Sequence, residues 1–233
     1  MKRRRFLLGA VIAPLAACSR PAPPADQSFV ALYRRLHPSV VFLTMRAPSD
    51  DPRAHGRIGD AYGTALVVGS GDWGTRFLTA KHVIEDARDL RATFGDASKA
   101  DDVRVVAVDN DQDLALLEVR AVRNAAVAPL GDSSTLEPGA AIGVIGYPIP
   151  DAFLDEGLGV TASIYAGHVA SIRKDAIELD VPIIPGESGG PVFTPDGKVV
   201  GLAESRFEEE HAIGFATPID AIKPFLAKHA RSR

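Results

Sequence analysis

The sequence predicts an all-β protein of two six-stranded antiparallel β-barrels, with a short helix near its N-terminal end and another at its C-terminal end. Short apolar runs rich in Val, Ile and Thr recur along the chain, separated by Gly, Pro, Asp and Asn, which is typical of strands joined by turns. The 233 residues include 21 glycines and 17 prolines, so turns are frequent. A break over residues 120–138 divides the runs into two sets, one for each barrel.

Residues 1–17 have the pattern of a secretory signal peptide of the lipoprotein type. Four basic residues at positions 2–5 precede an apolar run over residues 6–17, which is shorter than the roughly 20 residues that a membrane-spanning helix needs. The run ends in Leu-Ala-Ala-Cys, the order of a bacterial lipobox. We therefore expect lipidation of Cys18, followed by a proline-rich tether that completes residues 18–27.

Cys18 is the only cysteine in the sequence, so an intrachain disulfide is impossible. A reactive thiol or an intermolecular bridge is the alternative to lipidation. The arginines at positions 3–5 fit a twin-arginine export signal and an ordinary secretory signal equally well. The expected location is the bacterial cell envelope, with a lipid anchor holding the protein at the membrane and the domain facing the periplasm.

The composition excludes some classes of protein. Charged residues make up 24% of the chain, the net charge is −4, and no basic patch is interleaved with aromatic residues, so nucleic acid is not an expected partner. No repeat of about 20 to 50 residues is visible, which excludes solenoids and propellers. Hydrophobic residues make up 46%, as expected for a globular core.

The first folded element is predicted to be a helix over residues 28–36. Apolar residues recur there at helical spacing, Ser28 is placed to cap the first turn, and Pro38 follows the last. The period then changes to that of strands, and the N-terminal barrel is expected at about residues 39–119. Its six strands are predicted at residues 39–44, 62–68, 76–79, 90–94, 103–108 and 114–119.

The C-terminal barrel is expected at about residues 139–217, built from six or seven strands. A closing helix is predicted over residues 220–228, although Pro224 inside it is expected to shift its start or to kink it. The strands of this half are predicted at residues 141–146, 160–165, 168–172, 176–179, 191–194, 199–203 and 213–216.

Three residues have local sequences suited to acyl-transfer chemistry. His82 follows a predicted strand, Asp113 lies where a polar turn enters the next strand, and Ser188 is surrounded by glycines. A serine becomes a nucleophile when a base takes its proton and donors await the oxyanion. His82 and Asp113 belong to the first half and Ser188 to the second, so the site is expected in the cleft between the barrels.

Each assignment has an alternative. The Gly-x-Ser-x-Gly pattern around Ser188 also describes the nucleophile elbow of an α/β-hydrolase, but that elbow needs a helix after the serine, whereas residues 191–194 have the pattern of a strand. The sequence holds six histidines, so one histidine alone is more often structural. Asp109 and Asp111 compete with Asp113 as the acidic partner.

An ordered set of motifs, from about residue 38 to 225, resembles the trypsin-like (chymotrypsin-fold) serine proteases, and most closely their bacterial HtrA/Deg branch. Enzymes of that branch usually carry a PDZ domain after the protease domain, and the sequence ends at Arg233, so we expect a trypsin-like protease domain over residues 28–233 without a PDZ domain. The matching segments are residues 63–65, 78–83, 113–117, 145–148, 180–191 and 213–218.

The resemblance implies a role for each residue. Ser188 would attack the peptide carbonyl, His82 would act as general base and then as acid, and Asp113 would hold the imidazole tautomer. The N–H groups of Gly186 and Ser188 would form the oxyanion hole. No metal or cofactor is implied. The expected function is that of a serine endopeptidase in protein quality control or processing in the cell envelope, with proteins or peptides as substrates. A homotrimer assembled through residues 28–38 is compatible with the branch.

Two departures from the family pattern bear on activity and specificity. Glu187 stands where the family has Asp or Asn before the serine, and its greater length raises the hypothesis of a disturbed oxyanion loop. Pro182 occupies the place of the acid that selects Lys or Arg in trypsin-like enzymes, so a pocket formed by Pro182, Ile183 and Ala203 is expected to take a small or medium apolar side chain. The alternatives to an endopeptidase are a catalytically silent binding or chaperone-like lipoprotein and an ester hydrolase.

Overall fold

The structure, a computed structural model, describes residues 28–49, 57–122, 124–204 and 213–230. The predicted signal peptide, the tether and Cys18 lie outside the described residues. Among the helices of the described ranges, none is long and apolar enough to cross a membrane.

A short helix opens the domain. α1 spans Phe29–Leu36, and the Ser28 side chain accepts a hydrogen bond from Ala31 N–H at 3.3 Å, which confirms the predicted helix and its cap. Leu32 and Leu36 are buried on the inner face of the helix. α1 therefore docks on the body of the protein through its apolar face.

The first set of strands forms an antiparallel sheet in the order β5-β4-β1-β2-β3-β7-β6. Its core is a cluster of aliphatic and aromatic side chains that includes Phe77 and Phe94, whose rings meet edge to face at 5.6 Å. The seven strands of the described part are β1 (Val40–Pro48), β2 (Ile58–Gly71), β3 (Gly74–Ala80), β4 (Arg88–Phe94), β5 (Lys99–Ala100), β6 (Arg104–Asp109) and β7 (Leu114–Val119).

The second set closes into a six-stranded barrel in the order β10-β13-β12-β11-β8-β9. A short helix, α2 (Pro150–Asp155), interrupts the strands, and α3 (Ile219–Lys228) ends the domain. The barrel strands are β8 (Ala141–Gly146), β9 (Ser163–Ile172), β10 (Ile177–Leu179), β11 (Pro191–Phe193), β12 (Val199–Glu204) and β13 (Gly214–Pro218).

The predicted fold class is confirmed, with one difference in the first half. The C-terminal half is the expected closed barrel, whereas the N-terminal half is a curled, seven-stranded half-barrel sheet. The additional strand, β5, has only two residues and pairs with β4 alone in the described residues. An edge strand of this length offers few backbone groups to its other side, so the sheet stays open there.

The second half differs from prediction in two elements. The predicted strands 160–165 and 168–172 are one continuous strand, β9, which pairs with β8 from Gly146↔Ser163 to Ala141↔His168. Gly167 suggested a turn, but it lies inside the strand where residues 180–181 approach closely, and an added Cβ would stand 2.4 Å from a Val181 methyl group. The second element, α2, was not predicted; its six residues show too few turns for a period to emerge.

α3 closes the interface between the two halves. Ile219 and Ile222 are buried together with Leu66 and Leu78 of the first sheet and Leu202 of β12. The helix contains Pro224 and starts one residue earlier than predicted. The two sheets are thus joined by a continuous apolar cluster.

Candidate active site

His82 follows β3 in a single 3₁₀ turn over Lys81–Ile84. β3 pairs with β7 in a register that sets Ala80 opposite Leu114. Asp113 directly precedes β7 and His82 lies two residues beyond the end of β3, so both lie at the same edge of the sheet. β7 is buried along its whole length.

Asp113 contacts His82 through both carboxylate oxygens. His82 N–H donates to Oδ1 at 2.9 Å, and the ring Nδ1 lies 2.5 Å from Oδ2. Lys81 N–H donates to the Asp113 carbonyl at 2.8 Å, and the φ of +53° places Asp113 in a left-handed conformation that aspartate tolerates better than most residues. The contact favours the tautomer with the proton on Nδ1, which leaves Nε2 as the basic nitrogen.

The two neighbouring aspartates do not form this contact. Asp109 Oδ1 accepts hydrogen bonds from the N–H groups of Asp111, at 3.0 Å, and Gln112, at 3.1 Å. Asp109 thereby shapes the polar turn that delivers Asp113 to β7. Of the three aspartates that the sequence offered as partners of His82, the structure pairs Asp113 with it.

Burial lowers the pKa of His82, but the hydrogen bond and charge of Asp113 outweigh it, and the pKa lies above its ordinary value of 6.5. The charges of Glu204 and Glu85 contribute to the rise. Burial raises the pKa of Asp113, but the contacts with His82 reverse the sign and hold it below its ordinary value. Asp113 is thus ionised at neutral pH and stabilises a positive imidazolium.

Ser188 directly follows a tight turn over residues 184–187. Glu187 N–H donates to the Ile184 carbonyl at 3.0 Å, and Gly186 has a φ of +94°. Proline at the second position and a positive φ at the third define a type II turn, in which the central peptide faces opposite to its direction in type I. This turn sets the direction of the Gly186 N–H group.

Gly189 lets the Ser188 loop pass close to the first sheet. Its φ is +88°, and an added Cβ would lie 2.0 Å from the Thr64 carbonyl oxygen and 2.3 Å from Thr79 Oγ1. No side chain fits that space. The glycine after the serine therefore has a packing role between the two halves in addition to any role in the chemistry.

Thr64 of β2 joins the serine loop to the first sheet; the sequence placed it in the matching segment 63–65 but gave it no role. Its N–H donates to the Ser188 carbonyl at 3.0 Å, and its hydroxyl donates to the Gly186 carbonyl at 2.7 Å and accepts from Tyr147 N–H at 3.1 Å. Its own carbonyl accepts from Thr79 Oγ1 at 2.7 Å, three residues before His82. A chain of hydrogen bonds thus runs from the serine loop to the strand that carries the histidine.

The three residues assigned to the substrate pocket have different environments. Ile183 is 7% exposed and Ala203 is fully buried, and both belong to the apolar cluster of the second barrel. Pro182, by contrast, is exposed. Ala203 also contacts the serine loop, since its carbonyl accepts from Gly189 N–H at 2.8 Å. These residues thus flank the loop, and the pocket stays a prediction.

Glu204 is the second residue that sequence reasoning missed. It ends β12, is 5% exposed, and accepts a hydrogen bond from Thr217 Oγ1 at 3.1 Å. Its charge acts on His82 from the C-terminal barrel. The available signal was a carboxylate directly after the apolar run of residues 199–203.

The described ranges contain no group of three or more His, Cys, Asp or Glu side chains that could hold a metal ion. His168 also pairs with an aspartate: its backbone N–H donates to Asp180 Oδ1 at 2.5 Å, and its Nδ1 lies 3.0 Å from Asp180 Oδ2. Two protein ligands are fewer than structural or catalytic metal sites use.

A family profile described as "Trypsin-like peptidase domain" matches residues 63–202. The matched segment contains His82, Asp113 and Ser188 in the order that the resemblance implied. The chain belongs to the trypsin-like peptidase family.

Its relatives place it within that family. It is 32% identical over 203 residues to Protease Do-like 1, chloroplastic, of Arabidopsis thaliana, covering 83% of this chain and 45% of the relative. It is 34% identical over 158 residues to Serine protease Do-like HtrA of Bacillus subtilis, covering 63% and 34%. It is 31% identical over 182 residues to Probable periplasmic serine endoprotease DegP-like of Pseudomonas putida, covering 75% and 35%. The predicted likeness to the HtrA/Deg branch is confirmed, and the chain spans less than half the length of these relatives.

Solved structures agree on the fold. The HtrA-type protease AlgW with tripeptide superposes with a TM-score of 0.68 at 23% identity, covering 87% of this chain and 64% of that chain. At this identity the likeness concerns the fold alone. It supports the arrangement of one half-barrel sheet, one closed barrel and two terminal helices.

Proposed function

We propose that the protein is a serine endopeptidase whose catalytic triad is Ser188, His82 and Asp113. The observation that carries the proposal is the two-point contact of Asp113 with His82, linked through Thr64 to the loop that holds Ser188. Membership of the trypsin-like peptidase family supports the same reading.

In the proposed reaction the Ser188 Oγ–H proton passes to His82 Nε2 as Oγ bonds the peptide carbonyl carbon. The carbonyl oxygen becomes an oxyanion that accepts from the N–H groups of Gly186 and Ser188, an interaction worth about 2.7–4 kcal/mol per donor. His82 then gives the proton to the leaving amine as the C–N bond breaks. Water repeats the sequence on the acyl-enzyme, which releases the acid and restores Ser188.

Labelling with a fluorophosphonate probe tests the proposal, because this reagent reacts with an activated serine. The wild-type protein is expected to label at neutral pH, and Ser188→Ala and His82→Ala are expected to lose the labelling. His168→Ala is the matched control, since His168 has the same type of aspartate contact but belongs to a strand of the second barrel. An unreactive, folded wild type would favour a binding or chaperone-like protein.

The proposed cleavage preference is a small or medium apolar side chain before the scissile bond. Ile183 and Ala203 belong to an apolar cluster, and Pro182 replaces the acid that selects basic side chains. A peptide library treated with the protein should give cleavage after such residues, and a profile dominated by Lys or Arg would contradict the preference. A parallel panel of esters separates an endopeptidase from an ester hydrolase.

The proposed location is the bacterial cell envelope, with lipid on Cys18 and the domain facing the periplasm. The support is the signal-peptide pattern of residues 1–17 and the relative from Pseudomonas putida that is named periplasmic. Cells fed a labelled fatty acid should incorporate it into the wild-type chain and not into Cys18→Ser. Labelling that survives this substitution would contradict the assignment.

A homotrimer assembled through residues 28–38 is the proposed assembly. α1 exposes Phe29 and Val30, and a groove of about 400 Å³ lies between α1 and the β8–β9 pair. Light scattering of the purified domain measures the assembly directly. A monomer at every concentration would overturn the proposal, and Phe29→Asp should dissociate a trimer without unfolding the domain.

A further inference from the structure

Glu187 holds the serine loop from its side chain as well as its backbone. The Glu187 N–H donates to the Ile184 carbonyl at 3.0 Å, and the Ile184 N–H donates to Glu187 Oε2 at 3.0 Å. The backbone N–H and carbonyl groups of Ile184, at the start of the turn, thus both bond Glu187 at its end. Gly186 and Ser188, the two proposed oxyanion donors, flank that residue on either side.

Few groups around the Glu187 carboxyl would stabilise a negative charge on it. The residue is 1% exposed, and Oε1 has no hydrogen-bond partner among the described residues. Gly146 of β8 packs on its Cα and Cβ, and Tyr165 of β9 is the titratable side chain that acts on it. No Lys, Arg or His of the described ranges is among the groups that act on this carboxyl.

Burial raises the pKa of Glu187 to about 7, although the Ile184 N–H and Tyr165 each favour the ionised form. A buried carboxylate oxygen without a partner is far more costly than a buried neutral one. The loop conformation seen in the structure is therefore compatible with a carboxylic acid and strained by a carboxylate.

We propose that Glu187 is a positioning residue that holds the oxyanion loop as a neutral acid, and that its ionisation releases the loop. This inference rests on the proposed endopeptidase function. The Glu187 side chain is longer than the Asp or Asn of the family, and it fits the loop without disturbing it as long as it is uncharged. Oε2 then accepts from Ile184 N–H as a carbonyl oxygen, and the turn that orients Gly186 persists.

The contribution of Glu187 to the oxyanion loop depends on pH with a definite sign. Because the folded pKa of Glu187 lies above the ordinary value of 4.5, its contribution to the loop is full at low pH and is lost as the pH rises through about 7. His82 works in the opposite direction, since it acts as a base only when neutral and its pKa is raised. Activity is therefore confined to a narrow range around neutral pH, with His82 setting the acid limb and Glu187 the alkaline limb.

Glu187→Gln, which has nearly the same shape and no charge, tests the alkaline limb. In the wild type we expect kcat to pass through a maximum near pH 7 and to approach a fall of about tenfold per pH unit above it, whereas kcat of Glu187→Gln should rise along the His82 limb and then stay level up to about pH 8.5. The rate of fluorophosphonate labelling should follow the same pattern. A wild type without the alkaline fall, or a variant that keeps it, would overturn the inference.

Tyr165→Phe provides a second variant that preserves packing. Tyr165 favours the ionised form of Glu187, so loss of its hydroxyl should raise the pKa of Glu187 and move the alkaline limb to higher pH. Tyr62→Phe, on β2, is the matched control and should leave the limb in place. Equal shifts in both variants would contradict a specific action of Tyr165 on Glu187.

A measurement without catalysis separates this inference from the proposed function. In a Ser188→Ala background, the Tm gained through Glu187→Gln should grow as the pH rises through about 7, because only the wild-type side chain acquires a buried charge. If this Tm difference depends on pH but the protein with Ser188 intact does not label, the endopeptidase is refuted and the positioning role of Glu187 is kept. Labelling with a Tm difference that is flat with pH would do the reverse.

Discussion

Among the carboxylates that act on the His82 imidazole, Asp113 and Glu204 come from different halves of the molecule. Asp113 of the first sheet bonds the ring directly. Glu204 of β12 acts through its charge from a position where it is 5% exposed. In the proposed mechanism both would stabilise the imidazolium that forms during proton transfer, so the second barrel would contribute to the base as well as to the nucleophile.

Glu204→Gln is expected to lower the pKa of His82, because the variant removes a negative charge that favours the imidazolium. The acid limb of kcat/KM should therefore move to lower pH, and the plateau should fall because the imidazolium is less stabilised in the transition state. A pH–rate profile measures both effects.

Glu85→Gln is the control for that change. Glu85 also acts on His82, but its side chain is 58% exposed and pairs with Lys81, so solvent screens its charge. Its removal should shift the acid limb less than Glu204→Gln does. An equal shift in the two variants would show that burial of Glu204 is not what gives it influence.

At the scale of the elements, turns and strand registers connect residues that are far apart in sequence. The Ala80↔Leu114 register brings the histidine and aspartate together, and the sequence predicted both strands. A pattern of alternating residues predicts that strands exist, but it does not tell which strands pair. The matching segment 63–65 includes Thr64, but its hydrogen bonds to Gly186 and Tyr147 depend on how distant strands pair, so its role was not predicted.

Predictions from the sequence were wrong or incomplete where the role of a residue depends on contacts with residues far away along the chain. Gly167 predicted a break in β9, but the glycine serves close packing inside a continuous strand. The local sequences of Glu187 and Glu204 do not show that the folded protein buries both side chains. The ordered motifs around His82, Asp113 and Ser188 were readable because each lies at the end of a predictable strand or turn.

Thr64→Val is expected to weaken the junction between the two halves at nearly constant volume. The variant loses the hydroxyl that donates to the Gly186 carbonyl and accepts from Tyr147 N–H, which leaves two buried backbone groups without that partner. The expected cost is about 1–3 kcal/mol for the loop, seen as a lower kcat with a smaller change in KM. Thr93→Val on β4 is the control, and an equal loss there would contradict the assigned role.

Gly189→Ala is expected to abolish activity and to destabilise the fold. The added methyl group would overlap the Thr64 carbonyl oxygen at 2.0 Å, and the backbone has a φ of +88°. Gly157→Ala separates the two causes, because Gly157 has a φ of +70° and open space around its Cβ position. Urea unfolding should show a small loss for Gly157→Ala and a much larger one for Gly189→Ala, and similar losses would mean that strain alone decides.

At the scale of the whole molecule, a buried ionic cluster ties the first sheet to the end of the chain. Glu118 of β7 is fully buried and bonds the guanidinium groups of Arg76, at 2.9 Å, and Arg104. Arg76 also donates to the carbonyl of His229, directly after α3. The C-terminal helix is thus fastened at its end by the same arginine that neutralises the buried carboxylate.

Glu118→Ala is expected to destabilise the protein by about 3 kcal/mol, near the lower end for a broken buried pair because Arg104 is half exposed and can turn to solvent. Arg76, with 12% of its side chain exposed, would keep an uncompensated charge against the sheet. Urea unfolding measures the loss, and Glu137→Ala, at an exposed position, should change stability by no more than about 0.5 kcal/mol. Because α3 packs across the interface of the two halves, the loss should appear in a single cooperative transition. A separate early transition of the C-terminal helix would mean that the cluster stabilises that helix alone.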